Sequence, residues 1–152
     1  SAQGEALGMV VSRPERDVYS YTQEMMMADL TKIMAGHAAE FVANGKNKAK
    51  VSSGPSGDII QATNLAYQMA STYGMGKTGF IALSSISMPS QAMLERMEND
   101  ATMFIANAQV EAVALIEGHK NAWLAITEAL MEKETLSGEE IVTIIEDNLS
   151  RR

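Results

Sequence analysis

From Thr22 to Phe41 the positions Met26, Leu30, Ile33, His37 and Phe41 recur at three- and four-residue spacing. That period sets one face of an α-helix toward a core. Thr22 is its candidate N-cap, because a threonine hydroxyl can accept a first-turn N–H. Asn44 and Gly45 mark its end, and the lysine-bearing stretch from Gly45 to Lys50 reads as an exposed loop. A second helix is predicted after Pro55, with Ser56 as candidate N-cap, Ile59, Ala62, Ala66, Met69 and Tyr73 inward, and Gly74 as its stop. Phe80 to Ile86 reads as an extended segment. Met88-Pro89-Ser90 then opens the third and longest helix, whose stripe runs through Met93, Met97, Ala101, Phe104, Ala108, Ala112 and Leu115 until Gly118 breaks it. The fourth faces Trp123, Ile126 and Leu130 inward. The fifth starts at Ser137, which forms with Glu140 the pattern of a capping box, and buries Ile141, Ile144 and Ile145.

Ahead of these helices the chain alternates loosely, with Leu7, Met9 and Val11 on one side, and Pro14 lies in a turn-like stretch, the pattern of a short strand or hairpin. The expected fold is mainly α, one domain over residues 1–152. Within it residues 1–21 form the strand or hairpin, 22–89 two helices and the loop bearing Asp58, and 90–152 a bundle of three helices. Composition agrees. The 152 residues carry 12 methionines and only 5% aromatics, which suits helices packed closely through small residues with thioethers filling the gaps. A chain of this length buries about 70% of its unfolded surface, enough for a core of its own.

Charge narrows the partners. The formal net charge of -7 argues against nucleic acid as the main partner, since phosphate affinity is drawn from Lys and Arg. The acidic surplus lies from Ala92 onward, on helices whose solvated faces account for it. With no cysteine there is neither a disulfide framework nor a thiolate metal site. No apolar run approaches the ~20 residues that span a bilayer, so membrane contact by this segment is not expected and the piece should be soluble. The chain begins Ser1-Ala2-Gln3 without Met, and is expected to be a piece of something longer.

Several motifs invite chemistry. Gly74-Met-Gly-Lys-Thr78 ends like a phosphate-binding loop. The full pattern needs glycine five residues before Gly76, where Ser71 stands, and it must leave a strand, whereas this one leaves a helix. Only His37 and His119 are available as imidazole ligands. His37 lies three residues before Glu40, so the pair can meet on one helix face, and a semi-buried histidine beside a glutamate explains both. His119, next to Gly118, reads as a capping or solvent-exposed residue. No nucleophile elbow or Ser-His-Asp arrangement is present. Asp58 follows Ser52-Ser-Gly-Pro-Ser-Gly57 at a helix start, where the helix dipole welcomes a carboxylate whatever its function.

Taken together, Gly4-Glu-Ala-Leu-Gly8 followed by Pro14, Asp17 and Tyr19-Ser-Tyr-Thr22, Ala35-Gly-His-Ala-Ala-Glu40, Ser53-Gly-Pro-Ser-Gly-Asp58, Tyr73-Gly-Met75, Ala129-Leu-Met-Glu-Lys-Glu-Thr-Leu136 and Gly138-Glu-Glu-Ile141 resemble the C-terminal part of the peptidase domain of the FtsH family. These are membrane-anchored, ATP-dependent zinc metalloproteases. The motifs fall in family order and cover nearly the whole chain, and the Ala129 to Leu136 block is the most specific.

The resemblance implies that Asp58 is the third protein ligand of a catalytic zinc whose two histidines and general-base glutamate lie in a His-Glu-x-x-His helix. That motif is absent from these 152 residues. In the family it precedes the Gly-x-Ala-Leu-Gly segment. The chain therefore carries no catalytic residue and no cofactor-binding residue of its own, and the isolated piece is expected neither to cleave protein nor to bind zinc tightly. The resemblance further implies a hexameric parent in a bacterial inner membrane, with this domain on the cytoplasmic side, protein substrates, and ATP with magnesium at an upstream module. His37 stands where the family usually has Arg, and Gly57 where Asn is common. The competing expectation is a non-enzymatic helical assembly module or a protease-dead relative. Because zinc proteases bind substrate as an added strand, Ala6 to Val11 is expected to border the cleft.

Overall fold

A computed structural model describes residues 20–53 and 56–149. The expected N-terminal strand or hairpin and its cleft-bordering residues lie outside them. The described residues form a mainly α fold of five helices, with no strand among them; longer segments containing 3-10 turns precede the second and third helices. In chain order these are α1 (Gln23–Ala43), α2 (Ser56–Ser71), α3 (Gln91–Glu117), α4 (Lys120–Lys133) and α5 (Gly138–Leu149).

Helix starts follow their local chemistry. The Thr22 hydroxyl accepts the Met25 N–H at 3.1 Å, and the Ser90 hydroxyl accepts the Met93 N–H at 3.1 Å. Each takes up a donor that has no partner within the helix, which stabilises by about 1 kcal/mol. Ser56 differs from expectation, standing inside the first turn of α2 rather than ahead of it. Gly74 ends the turn after α2 in the left-handed region, φ +61°, where glycine avoids the Cβ penalty. Phe80 to Ile86 is not extended but contains a 3-10 turn, Leu83–Ser85. It makes no ladder, because no strand lies beside it among the described residues.

The core has two parts that share α1 and α3. Met26, Leu30 and Met34 of α1 meet Ala62, Ala66 and Met69 of α2 and Met97, Phe104 and Ala108 of α3. Farther along, Ala35, Ala38 and Ala39 of α1 and Ala112 and Ile116 of α3 pack with Ile126 of α4 and Ile141 and Ile145 of α5. Burying a side chain such as Leu30 or Ile126 stabilises by roughly 1.5–3 kcal/mol.

Because α1 is covered on two sides, its buried face is broader than its large apolar residues predict. Met34, Ala35, Ala38 and Ala39 are buried, while Ile33, His37 and Phe41 are only half-buried. Small residues let the neighbouring helices approach, and the bulkier ones are turned outward. Ile59 and Tyr73 likewise face solvent, at 40% and 45% exposure, rather than the core.

Candidate metal centre

Asp58 occupies the first turn of α2 and is half-buried. Its Oδ2 accepts the backbone N–H of Gly138, 80 residues away, at 2.9 Å. Gly138 is the first residue of α5. The carboxylate therefore lies at the N-terminal ends of two helices, and both dipoles favour its charge.

The start of α5 is capped by side chains. The Ser137 N–H donates to Glu140 Oε1 at 3.2 Å, and the Glu140 N–H donates to the Ser137 hydroxyl at 3.1 Å, the reciprocal capping box that the Ser137-x-x-Glu140 spacing predicts. The first helical N–H, that of Gly138, is the one Asp58 takes. Beside it opens a cleft of about 440 Å³, lined by Asp29, Lys32 and Ile33 of α1, Asp58 and Gln61 of α2, and Ser137.

A carboxylate oxygen suits zinc, and a ligating carboxylate is ordinarily held by a hydrogen bond on its other oxygen. Asp58 has that second partner and a cleft beside it, so it fits one position of a zinc ligand set. It does not make a set alone. Among the described residues no group of three His, Cys, Asp or Glu is placed to hold a metal.

The other sequence candidates serve structure. Glu40 is buried, and its Oε1 accepts both the Ser52 N–H, at 3.2 Å, and the Ser52 hydroxyl, at 2.6 Å. This pins the loop leading to Asp58 onto α1. His37, half-buried, lines a separate groove of about 620 Å³ with Phe41, Ile59 and Ile105. His119 is a capping residue rather than a solvent-exposed one, standing at the N-cap position of α4, where its carbonyl accepts the Trp123 N–H at 2.9 Å. It is 5% exposed, its side chain makes no cap bond to α4, and its Nδ1–H donates to the Leu115 carbonyl at 2.7 Å. The imidazole closes the C-terminal end of α3, where unpaired carbonyls attract a donor.

The Gly74 to Thr78 loop is occupied by the protein itself. The buried Asp100 carboxylate accepts the Thr78 N–H at 3.1 Å, and a Cβ on Gly76 would stand 2.3 Å from the Asp100 Oδ2. The Asp100 side chain fills the space against this loop.

A model of peptidase family M41 matches residues 2–144. The chain belongs to peptidase family M41. The ATP-dependent zinc metalloprotease FtsH of Neorickettsia risticii is 35% identical to it over 150 residues, covering 95% of this chain and 23% of that protein. The ATP-dependent zinc metalloprotease FtsH of Rickettsia bellii is 32% identical over 155 residues, 94% of this chain and 24% of that protein. The ATP-dependent zinc metalloprotease YME1 homolog of Caenorhabditis elegans is 30% identical over 160 residues, 99% of this chain and 22% of that protein. The chain thus spans about a quarter of the length of these M41 relatives.

Sequence reasoning names Asp58 but not Gly138 as its partner, and passes over Asp100. The capping-box spacing at Ser137 is a visible signal for a helix start. Nothing in the local sequence says that the start of α5 meets the start of α2.

Proposed function

We propose that this chain is the aspartate-bearing part of the peptidase domain of an ATP-dependent zinc metalloendopeptidase, and that Asp58 is a ligand of its zinc. The observation that carries the reading is the Asp58 carboxylate fixed through Oδ2 at 2.9 Å from the Gly138 nitrogen, beside an open cleft. Asp58 would then hold the metal through its other carboxylate oxygen. When bound, the zinc supplies Lewis-acid activation of water for attack on a peptide carbonyl. Asp58 contributes charge neutralisation and a fixed ligand direction, and Glu40 with Ser52 holds the loop that delivers it. The histidine ligands and the general base come from a His-Glu-x-x-His segment, which these residues do not contain.

The intact protein of this proposal is a membrane-anchored hexamer that draws on ATP and magnesium at another module and acts on protein substrates. No described helix is long and apolar enough to cross a membrane. In an intact protein carrying the histidine motif, Asp58→Ala is expected to lose stoichiometric zinc, measured by elemental analysis, together with casein cleavage. Retained zinc and cleavage would refute the assignment. The 152-residue chain alone is expected to show no high-affinity zinc in a calorimetric titration.

A second reading, a non-enzymatic assembly module or protease-dead relative, is favoured by the exposed apolar side chains Phe80, Met88 and Met131, at 100%, 89% and 82%. A parent reading frame without His-Glu-x-x-His would select it.

A further inference from the structure

The geometry points to Gly138 as a positioning residue for the metal ligand: its backbone N–H, held rigidly at the start of α5, fixes the orientation of the Asp58 carboxylate. This rests on the reading of Asp58 as a zinc ligand.

Three observations converge on that one donor. The Gly138 N–H lies 2.9 Å from Asp58 Oδ2. Behind it the backbone is wedged against α1, since a Cβ on Gly138 would meet the Lys32 carbonyl oxygen at 2.2 Å and that of Ile33 at 2.8 Å. On the chain's own axis, the Ser137 and Glu140 capping box sets the first turn of α5 and satisfies the Ser137 and Glu140 N–H groups. A peptide group clamped on two sides cannot follow a wandering side chain, so Asp58 is held in place by it.

A loose aspartate would present either oxygen in several rotamers. The N–H selects Oδ2, and hydrogen bonding to one oxygen orients the other, which would hold the metal, as outer partners of metal ligands generally do. The last helix is in this way coupled to a residue 80 positions earlier.

Side-chain substitution cannot remove this donor cleanly, because any Cβ at Gly138 strikes α1. Replacing the Gly138 amide by an ester, through ligation of a synthetic C-terminal segment at Ala129 followed by desulfurisation, deletes the N–H and adds no atom in the wedge. In the intact metalloprotease carrying the histidine motif, the ester is expected to weaken zinc affinity about 10- to 100-fold and to change the visible absorption spectrum of the cobalt(II)-substituted protein, with far-UV circular dichroism unchanged. A cobalt spectrum and zinc affinity identical to the unmodified protein would overturn the inference.

Asp58→Ala separates the two hypotheses. If that variant keeps its zinc, the ligand reading itself fails. If it loses zinc while the ester does not, only the positioning role fails. A second measurement covers the case of a misfolded ester: in the unmodified 152-residue chain, a through-hydrogen-bond NMR coupling between the Gly138 nitrogen and the Asp58 carboxylate carbon is expected, and its absence counts against the inference.

Discussion

Gly36 and Gly138 bring α1 and α5 together backbone to backbone. A methyl group on Gly36 would stand 2.4 Å from the Leu136 carbonyl oxygen, and one on Gly138 2.2 Å from that of Lys32. Neither obstacle is a side chain that can swing aside. Gly36→Ala is therefore expected to destabilise by at least about 1–3 kcal/mol, the usual cost of overpacking. Gly57→Ala is the control, because nothing lies within 4 Å of a Cβ there. It should be neutral or stabilising by about 0.4–1 kcal/mol. Urea midpoints of the two variants check the contrast.

Asp100 and the Thr78 N–H form a buried pair that organises the loop after α2. Asp100→Ala strands that N–H and is expected to cost about 1–3 kcal/mol, with amide shifts for residues 74–80 moving in NMR spectra. Lys77→Ala should leave stability unchanged, as Lys77 is exposed. Neither ATP nor inorganic phosphate should shift the Gly76 or Thr78 amides, and a saturable shift would contradict the reading that the Asp100 side chain occupies this loop.

Glu140 links the start of α5 to pH. The Lys133 ammonium bound to it, and then the Ser137 N–H, hold its carboxyl below the usual range. A group whose folded pKa is depressed stabilises the fold above its unfolded pKa, about 4.3, and that contribution is lost as pH falls through the lower folded value. Both partners are substantially exposed, so screening keeps the effect small. Glu140→Gln retains a capping acceptor but loses the ionic attraction. Between about pH 6 and about pH 3, its urea midpoint should fall less steeply than that of the unaltered chain, and parallel acid limbs would contradict this.

The sequence by itself determines features whose physics closes within a few residues. Thr22, Ser90 and the Ser137 and Glu140 pair cap their helices three positions away, and such bonds need only the right residue at the right spacing. Ordered motifs over nearly the whole chain likewise carry the family. Tertiary structure decided what depends on neighbours. It chose Met34, Ala35 and Ala38 over Ile33, His37 and Phe41 for burial, because α1 is enclosed on two sides and close approach rewards small residues. It turned the expected extended stretch after Gly79 into a 3-10 turn, and it buried His119. Above all it set Gly138 against Asp58, a bond across 80 residues that no local pattern encodes, because only the packing of α1 against both α2 and α5 brings the two helix starts together.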